Sequence, residues 1–180
     1  MKHIVVAFVR CQGITAGHHK LFRKVQSLCY QYDTKGFIYF SKTVDNNKNP
    51  LSYDDRIYFA SMLMPFRRHL ICDDLKVRTI FDMMRKHSDK DATIHIVCGG
   101  DRLEEYEYKF NKYNNTDYNY KQIIVHNVGN RNSNVSGTTL REYVKNDEFD
   151  NFLTLLPRTA TPFYALKLYN KLKASYENTG

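Results

Sequence analysis

The chain has 180 residues, a formal net charge of +8, and 42% hydrophobic and 14% aromatic residues. That length suits a single domain spanning 1–180 with a sizeable core, and the composition excludes a disordered chain. No apolar run reaches membrane-spanning or signal-peptide length, so a cytoplasmic protein without a membrane partner is expected. The charge suits a polyanion, either nucleotide phosphates or nucleic acid, without separating the two.

Ile4 to Val9 is a short apolar run rich in β-branched residues, the pattern of a strand buried on both faces. From His18 onward, Leu21, Phe22, Val25 and Cys29 repeat at helical spacing. Between them, Arg10-Cys11-Gln12-Gly13-Ile14-Thr15-Ala16-Gly17-His18 forms a turn with two glycines. A strand feeding a helix through such a turn presents the helix's unbonded N–H groups, which favours an anion, phosphate in particular. Thr15 adds a hydroxyl, His18 an imidazole N–H, and Gly17 a close approach to the backbone. A capped helix with a packed histidine fits this segment equally well.

Gly36 to Ser41 reads as a second strand, followed by a polar loop from Lys42 to Asn49. Pro50 to Arg56 opens a helix, with Ser52 as N-cap and Asp55 answering it. Ile57, Ala60, Ser61 and Met64 are its expected inner face, and Pro65 stops it. His69 to Cys72 is a third strand. Asp73 or Asp74 is expected to cap a helix with Val77, Ile80, Phe81 and Met84 on one face. Thr93 to Cys98 is a fourth strand, running into Gly99-Gly100-Asp101-Arg102 and a charged, aromatic helix from Arg102 to Tyr113. Asn114 to Tyr120 is a loop, and Gln122 to His126 is a fifth strand. After the Asn127–Asn134 loop, which carries Arg131, Ser136 to Arg141 opens another helix. One further helix runs from near Asp147 to Pro157. The last starts at Thr161-Pro162, with Ala165, Leu168, Tyr169, Leu172 and Tyr176 on one face.

Strands alternating with helices imply a Rossmann-like, doubly wound α/β fold with five parallel strands and a helical C-terminal tail. Residues 1–135 form its expected core, and 136–180 a phosphate-binding helix followed by C-terminal helices. For strand order 3-2-1-4-5, the ligand crevice lies at the carboxyl ends of strands one and four. Cys11, Cys29, Cys72 and Cys98 lack CxxC spacing and are expected as thiols rather than disulfides or zinc ligands. His19 is expected on the surface, and His95 and His126 packed or facing solvent. The tyrosines between Tyr106 and Tyr120 are expected to cover a core or form an interface, although they could stack on single-stranded RNA.

Thr15-Ala16-Gly17-His18 matches the (His/Thr)-x-Gly-His motif, and Val135-Ser136-Gly137-Thr138-Thr139-Leu140-Arg141 resembles Ile-Ser-Ser-Thr-x-x-Arg. Lys48 to Arg56 resembles the Lys-x-Pro-x-(Ser/Thr)-x-x-x-Arg segment of bacterial adenylyltransferases. Together with Gly100 to Glu105 and the tail after Arg141, these residues resemble the HIGH-motif nucleotidylyltransferase superfamily, most closely its bacteriophage-encoded branch. Two departures stand out. Relatives often carry proline before the first motif, where this chain has Gln12-Gly13-Ile14, and Gly137 replaces the second serine of the second motif.

The resemblance implies transfer of a nucleoside monophosphate from an NTP to a phosphorylated small molecule, with pyrophosphate leaving. ATP is expected over CTP, because the motifs differ from the Arg-Thr-x-Gly-Ile-Ser-Thr-Thr form of cytidylyltransferases. By the same resemblance, His18 bonds the α-phosphate, and Thr15 holds that phosphate or orients the acceptor. Ser136 and Thr138 bind the β- and γ-phosphates, which Arg141 neutralises, and Lys48 is a mobile cation. Arg10, Gly17, Gly99, Asp101, Arg102 and Arg131 complete the expected nucleotide- and phosphate-binding set. Mg²⁺ is expected to arrive on the triphosphate, with no protein metal ligands. Specific nucleic-acid binding is not expected, a homo-oligomer is left open, and a phage-encoded chain would work in the host cytoplasm. A non-catalytic nucleotide or nucleic-acid binder of the same fold is the alternative from another class. A class I aminoacyl-tRNA synthetase is excluded by length and by the lack of a Lys-Met-Ser-Lys-Ser loop.

Overall fold

The computed structural model describes residues 1–44, 50–129 and 135–177. They pack as two compact units, one of Met1–Val9, Leu21–Ser41 and Leu70–Arg131, the other of Arg10–Lys20, Lys42–His69 and Asn132–Gly180.

The first unit holds a five-stranded parallel sheet in the order β3-β2-β1-β4-β5, the usual order for such a fold. The strands are β1 (Lys2–Val9), β2 (Gly36–Phe40), β3 (Ile71–Cys72), β4 (Asp89–Cys98) and β5 (Tyr120–Asn127). Helices α1 (Ala16–Tyr32), α3 (Ile80–Lys86) and α4 (Leu103–Tyr113) make the crossovers, α1 entering this unit at Leu21. One core cluster gathers Ile4 and Val6 of β1, Ile94 and Ile96 of β4, Met83 and Met84 of α3, Phe110 of α4, and Tyr118 and Tyr120. A fully buried aliphatic side chain of this kind contributes about 1.5–3 kcal/mol before its ordering cost. Tyr118 and Tyr120 hand their hydroxyl protons to the carbonyls of Phe110 and Met84, at 2.9 and 2.6 Å. The tyrosines around β5 are thus partly core, whereas Tyr108 and Tyr113 stay exposed.

Several local expectations need correction. Strand β3 is two residues long, because His69 and Leu70 finish a 3₁₀ turn that Pro65 opens. Proline suits that first position, where no N–H is required. Helix α3 starts at Ile80, not behind Asp73 or Asp74. Thr79 caps it and Asp82 answers in a reciprocal box, while Asp74 binds the Lys76 N–H and the Lys86 ammonium. β1 and β4 begin earlier than their apolar runs, since Lys2 pairs with Ala92 and Asp89 with Tyr120 at the polar strand ends. In α1, Leu28 is buried and Cys29 only half-buried. The Cys29 sulfur lies 2.6 Å from where a side chain at Gly36 would begin, so only glycine lets β2 start there.

In the second unit, α5 (Gly137–Lys145) packs on α6 (Phe149–Leu155) and α7 (Pro162–Glu177), and α7 also packs on α2 (Tyr53–Leu63). Leu140 and Val144, Phe152 and Leu155, and Ala165, Leu168, Tyr169 and Leu172 are buried, the last four as the sequence predicts. Tyr169 meets Phe149 and Phe152 edge-on at 5.0 and 5.2 Å. Ser52 caps α2 by accepting the Asp55 N–H at 3.1 Å, as expected. Of its expected inner face, Ala60 and Met64 are buried, whereas Ile57 and Ser61 are half-buried and Arg56, Phe59 and Leu63 turn inward instead. The difference follows from Arg56, whose side chain turns inward to bond backbone carbonyls, and a polarity pattern cannot foresee that.

All four cysteines are free thiols. Among the described residues no helix is long and apolar enough to cross a membrane.

Candidate phosphate-binding site

Beyond β1 the chain turns sharply. Cys11 and Gly13 have positive φ of 51° and 98°, and the Gly13 N–H bonds the Cys11 carbonyl at 3.0 Å. Three side chains hold this loop. The Gln12 amide spans to Leu51 in both directions, donating to its carbonyl at 3.0 Å and accepting its N–H at 2.9 Å. Arg56, with no exposed surface, donates to the Arg10 carbonyl at 2.8 Å and the Ser52 carbonyl at 3.2 Å. Arg141 donates to the Gln12 carbonyl at 3.4 Å. Through Nε and Nη1 the buried guanidinium thus satisfies two loop carbonyls, which spares them a desolvation cost. Burial pushes the Cys11 thiol far up, with the neighbouring Arg56 charge pulling the other way, so Cys11 is an inert packing group rather than a nucleophile.

Gly13 is where α5 meets the loop. A Cβ there would lie 2.8 Å from a methyl carbon of Leu140. The close approach carries Ser136, Thr138 and Arg141 to the loop that ends in Thr15 and His18. Gln12 and Arg141, in direct contact, are 129 residues apart in sequence.

At the start of α1, the His18 Nδ1 accepts the Thr15 N–H at 3.1 Å and lies 3.0 Å from the Thr15 hydroxyl. A backbone N–H can only donate, so Nδ1 presents its lone pair and the neutral ring carries its proton on Nε2. His18 is half-buried and Thr15 buried. A side chain at Gly17 would meet only the Thr15 hydroxyl, at 3.5 Å, so the backbone there is open to close approach. The first turn of α1 holds no acidic residue. Its N–H groups and the positive end of its dipole are unopposed by a carboxylate of its own.

Helix α5 repeats the arrangement. Ser136 caps it by accepting the Thr139 N–H at 3.0 Å, and its hydroxyl lies 2.9 Å from that of Thr139. Thr138 is exposed and accepts from Arg141 at 3.3 Å. No acidic residue occupies this first turn either. A Cβ at Gly137 would sit 3.3 Å from the Arg141 guanidinium and 3.5 Å from the Gln12 carbonyl, so glycine here leaves the arginine room to reach back.

Thr15, Gly17, His18, Ser136, Thr138 and Arg141 therefore belong to one loop-and-helix frame. Arg10 is exposed at its edge and contributes its carbonyl. Gly99, Asp101 and Arg102 lie in the first unit, at the carboxyl end of β4. The Gly100 N–H there bonds the Gly129 carbonyl at 3.2 Å, and Arg102 lies 3.5 Å from the Glu105 carboxylate. Lys48 and Arg131 fall outside the described residues. His19 faces Arg67, 3.1 Å from its guanidinium. Gln12, Gly13 and Arg56 were not predicted as site residues. Arg56 stood in a quoted motif, but nothing in that spacing says that it anchors the loop.

No protein-family model matches the chain, and no curated protein sequence matches it. The class its structure defines is a Rossmann-like α/β protein with a five-stranded parallel sheet and a C-terminal helix.

Proposed function

We propose that this chain is a nucleotidylyltransferase that transfers a nucleoside monophosphate, AMP from ATP in preference to CMP from CTP, to a phosphorylated small molecule. An oxygen of the acceptor phosphate attacks the α-phosphorus, the bond to the β-phosphate oxygen breaks, and pyrophosphate leaves with the electron pair. No covalent enzyme intermediate is needed, so the protein contributes positioning and charge stabilisation. The observation that carries this reading is the Thr15 N–H donated to the His18 Nδ1. It fixes the neutral ring as the Nε2–H tautomer, the one that can donate to an α-phosphate oxygen as charge builds there.

In this reading Ser136, Thr138 and the α5 N-terminus receive the β- and γ-phosphates, and Arg141 neutralises them. Thr15 holds the α-phosphate or orients the acceptor, and Lys48 is a further cation for the acceptor or α-phosphate. Among the described residues no group of three His, Cys, Asp or Glu side chains is arranged to hold a metal. In this reading Mg²⁺ would be carried by phosphate oxygens and water, easing charge on the triphosphate, and no step here is assigned to it.

The test is pyrophosphate release from each NTP, at saturating Mg²⁺, against a panel of phosphorylated acceptors. Release from ATP with one acceptor class is expected. Release from CTP alone would make the protein a cytidylyltransferase. Nucleotide binding without release from any pair would make it a non-catalytic binder.

A further inference from the structure

His3, His95 and His126 sit on β1, β4 and β5 and form a hydrogen-bonded row. Val5 pairs with His95 and Val97 with His126, so each histidine is one diagonal step from the next on the same face of the sheet. The His3 Nδ1 lies 3.0 Å from the His95 Nε2, and the His95 Nδ1 lies 2.9 Å from the His126 Nε2. Tyr32 of α1 stacks on His3 and His95 with ring centroids 4.3 and 4.2 Å apart. His95 has no exposed surface.

Three neutral imidazoles bring three N–H groups, and the two links use two of them. The third must point outward from one end of the row. If every ring carries its proton on Nε2, that end is His3; if every ring carries it on Nδ1, that end is His126. The row therefore has two directions, and whatever sits at the His3 end selects between them.

His3 lines a cavity of about 380 Å³ at the amino ends of the strands, together with Lys2, Lys35, Phe37, Lys86 and His87. That volume lies in the range of small-molecule sites. Lys2 is paired with Asp89 at 2.6 Å, and Lys86 with Asp74. Lys35 has no hydrogen-bond or ion-pair partner among the described residues, nor has the His3 Nε2 on the far side of its ring. The loop bearing Lys35 is tied to β1 by the Thr34 hydroxyl, which donates to the His3 carbonyl at 2.7 Å. Phe37 and His87 form an aromatic wall, with centroids 4.6 Å apart. With Lys2 and Lys86 paired to Asp89 and Asp74, Lys35 is the surplus positive charge and favours an anion, and the volume and aromatic wall leave room for an organic group beside it.

We propose that this cavity binds a small phosphate monoester through Lys35 and the His3 Nε2–H, and that binding sets the histidine row in the direction that places all three protons on Nε2. The site lies wholly within the first unit and is independent of the transferase reading. The titration is run on R141Q, which weakens the phosphate site of the second unit, so failure of either reading leaves the other standing.

Two probes distinguish the sources of the anion, inorganic phosphate and glycerol 3-phosphate, followed by the imidazole ¹⁵N resonances of the histidines. Saturable binding is expected, tighter for the ester, with His3, His95 and His126 all in the Nε2–H form at saturation. K35Q, an exposed substitution, should weaken both probes about tenfold, the worth of one partly screened charge-assisted hydrogen bond. Equal affinity for the two probes would overturn the ester. No shift at His3, an Nδ1–H ring in the saturated row, or K35Q binding like its parent would overturn the site.

Discussion

Around Thr15 a single imidazole meets the backbone, whereas across the sheet three imidazoles meet one another. The His18 Nδ1 takes a peptide N–H, a donor that cannot become an acceptor, so the neutral ring has one tautomer. His95 takes both its partners from rings that can each donate or accept, so its tautomer is set by theirs. The first arrangement holds the neutral ring in one tautomer, which suits a catalytic contact. The second passes on a choice made at its end, which suits sensing. The residue type is the same; the difference lies in whether the neighbour's hydrogen-bonding role is fixed.

The largest expected effect falls on the fixed ring. His18→Ala should lower kcat by about 10²–10³, or roughly 3–4 kcal/mol, as removal of a donor to developing charge does, with NTP affinity nearly kept. Arg141→Ala should act mainly on NTP affinity, because its charge meets phosphate already in the ground state. Saturation curves for both, beside thermal melts to show folding, separate these outcomes. A His18→Ala enzyme that kept kcat and lost affinity would remove the Nε2–H donor from the mechanism.

Next comes the frame that holds this ring. Gly13→Ala places a methyl group 2.8 Å from Leu140 at a φ of +98°. The left-handed backbone costs about 1–2 kcal/mol for an alanine and the overpacking about 1–3, so a loss of about 2–5 kcal/mol in urea unfolding is expected. Gly17→Ala meets nothing closer than 3.5 Å and should leave stability within about 1 kcal/mol, as alanine is the better helix former. Equal melting points for the two variants would mean that Gly13 is no keystone.

How far these regions were legible follows from what a sequence pattern can carry. β-branched runs and alternation with helices mark the parallel sheet and most strand positions, because burial on both faces demands apolar side chains, and the strand order is the usual one for such a fold. The cap at Ser52 was legible for a similar reason, since a helix start needs a side-chain acceptor at a fixed offset. The α2 face was misjudged because a buried arginine defeats a polarity pattern unless its carbonyl partners are known. Those partners, at Arg10 and Ser52, come from the three-dimensional path of the loop. The histidine row was hidden likewise. His95 and His126 were placed in strands, but their contact depends on strand register, and His3 lay before the apolar run that marks β1. The Thr79–Asp82 box has the right spacing in sequence, but Asp73 and Asp74 offer equally good caps nearer the strand, and only the path of the chain decides between them.

The smallest effect tests the shared ring through pH. Burial, followed by the charges of His126 and His3, pushes His95 down to about 4 from an ordinary 6.5. Burial, with Lys24 nearby, also lowers His126. The folded protein holds these rings neutral while the unfolded chain takes up protons below about 6.5, so stability is complete above that value and falls towards pH 4. The carboxylates lowered by cationic partners, such as Asp82 at about 2 beside Arg85, lose their contribution only at lower pH, which leaves the window between to histidine. Urea unfolding should therefore show a loss of about 1–3 kcal/mol between roughly pH 6.5 and pH 4.5 at constant ionic strength. His95→Leu should start less stable, because His3 and His126 lose their shared partner. Over that window it should then lose less, since the ring that must stay neutral is gone. A slope in His95→Leu as steep as in the parent would place the acid sensitivity elsewhere, His87 being the first alternative because burial holds it at about 4 as well.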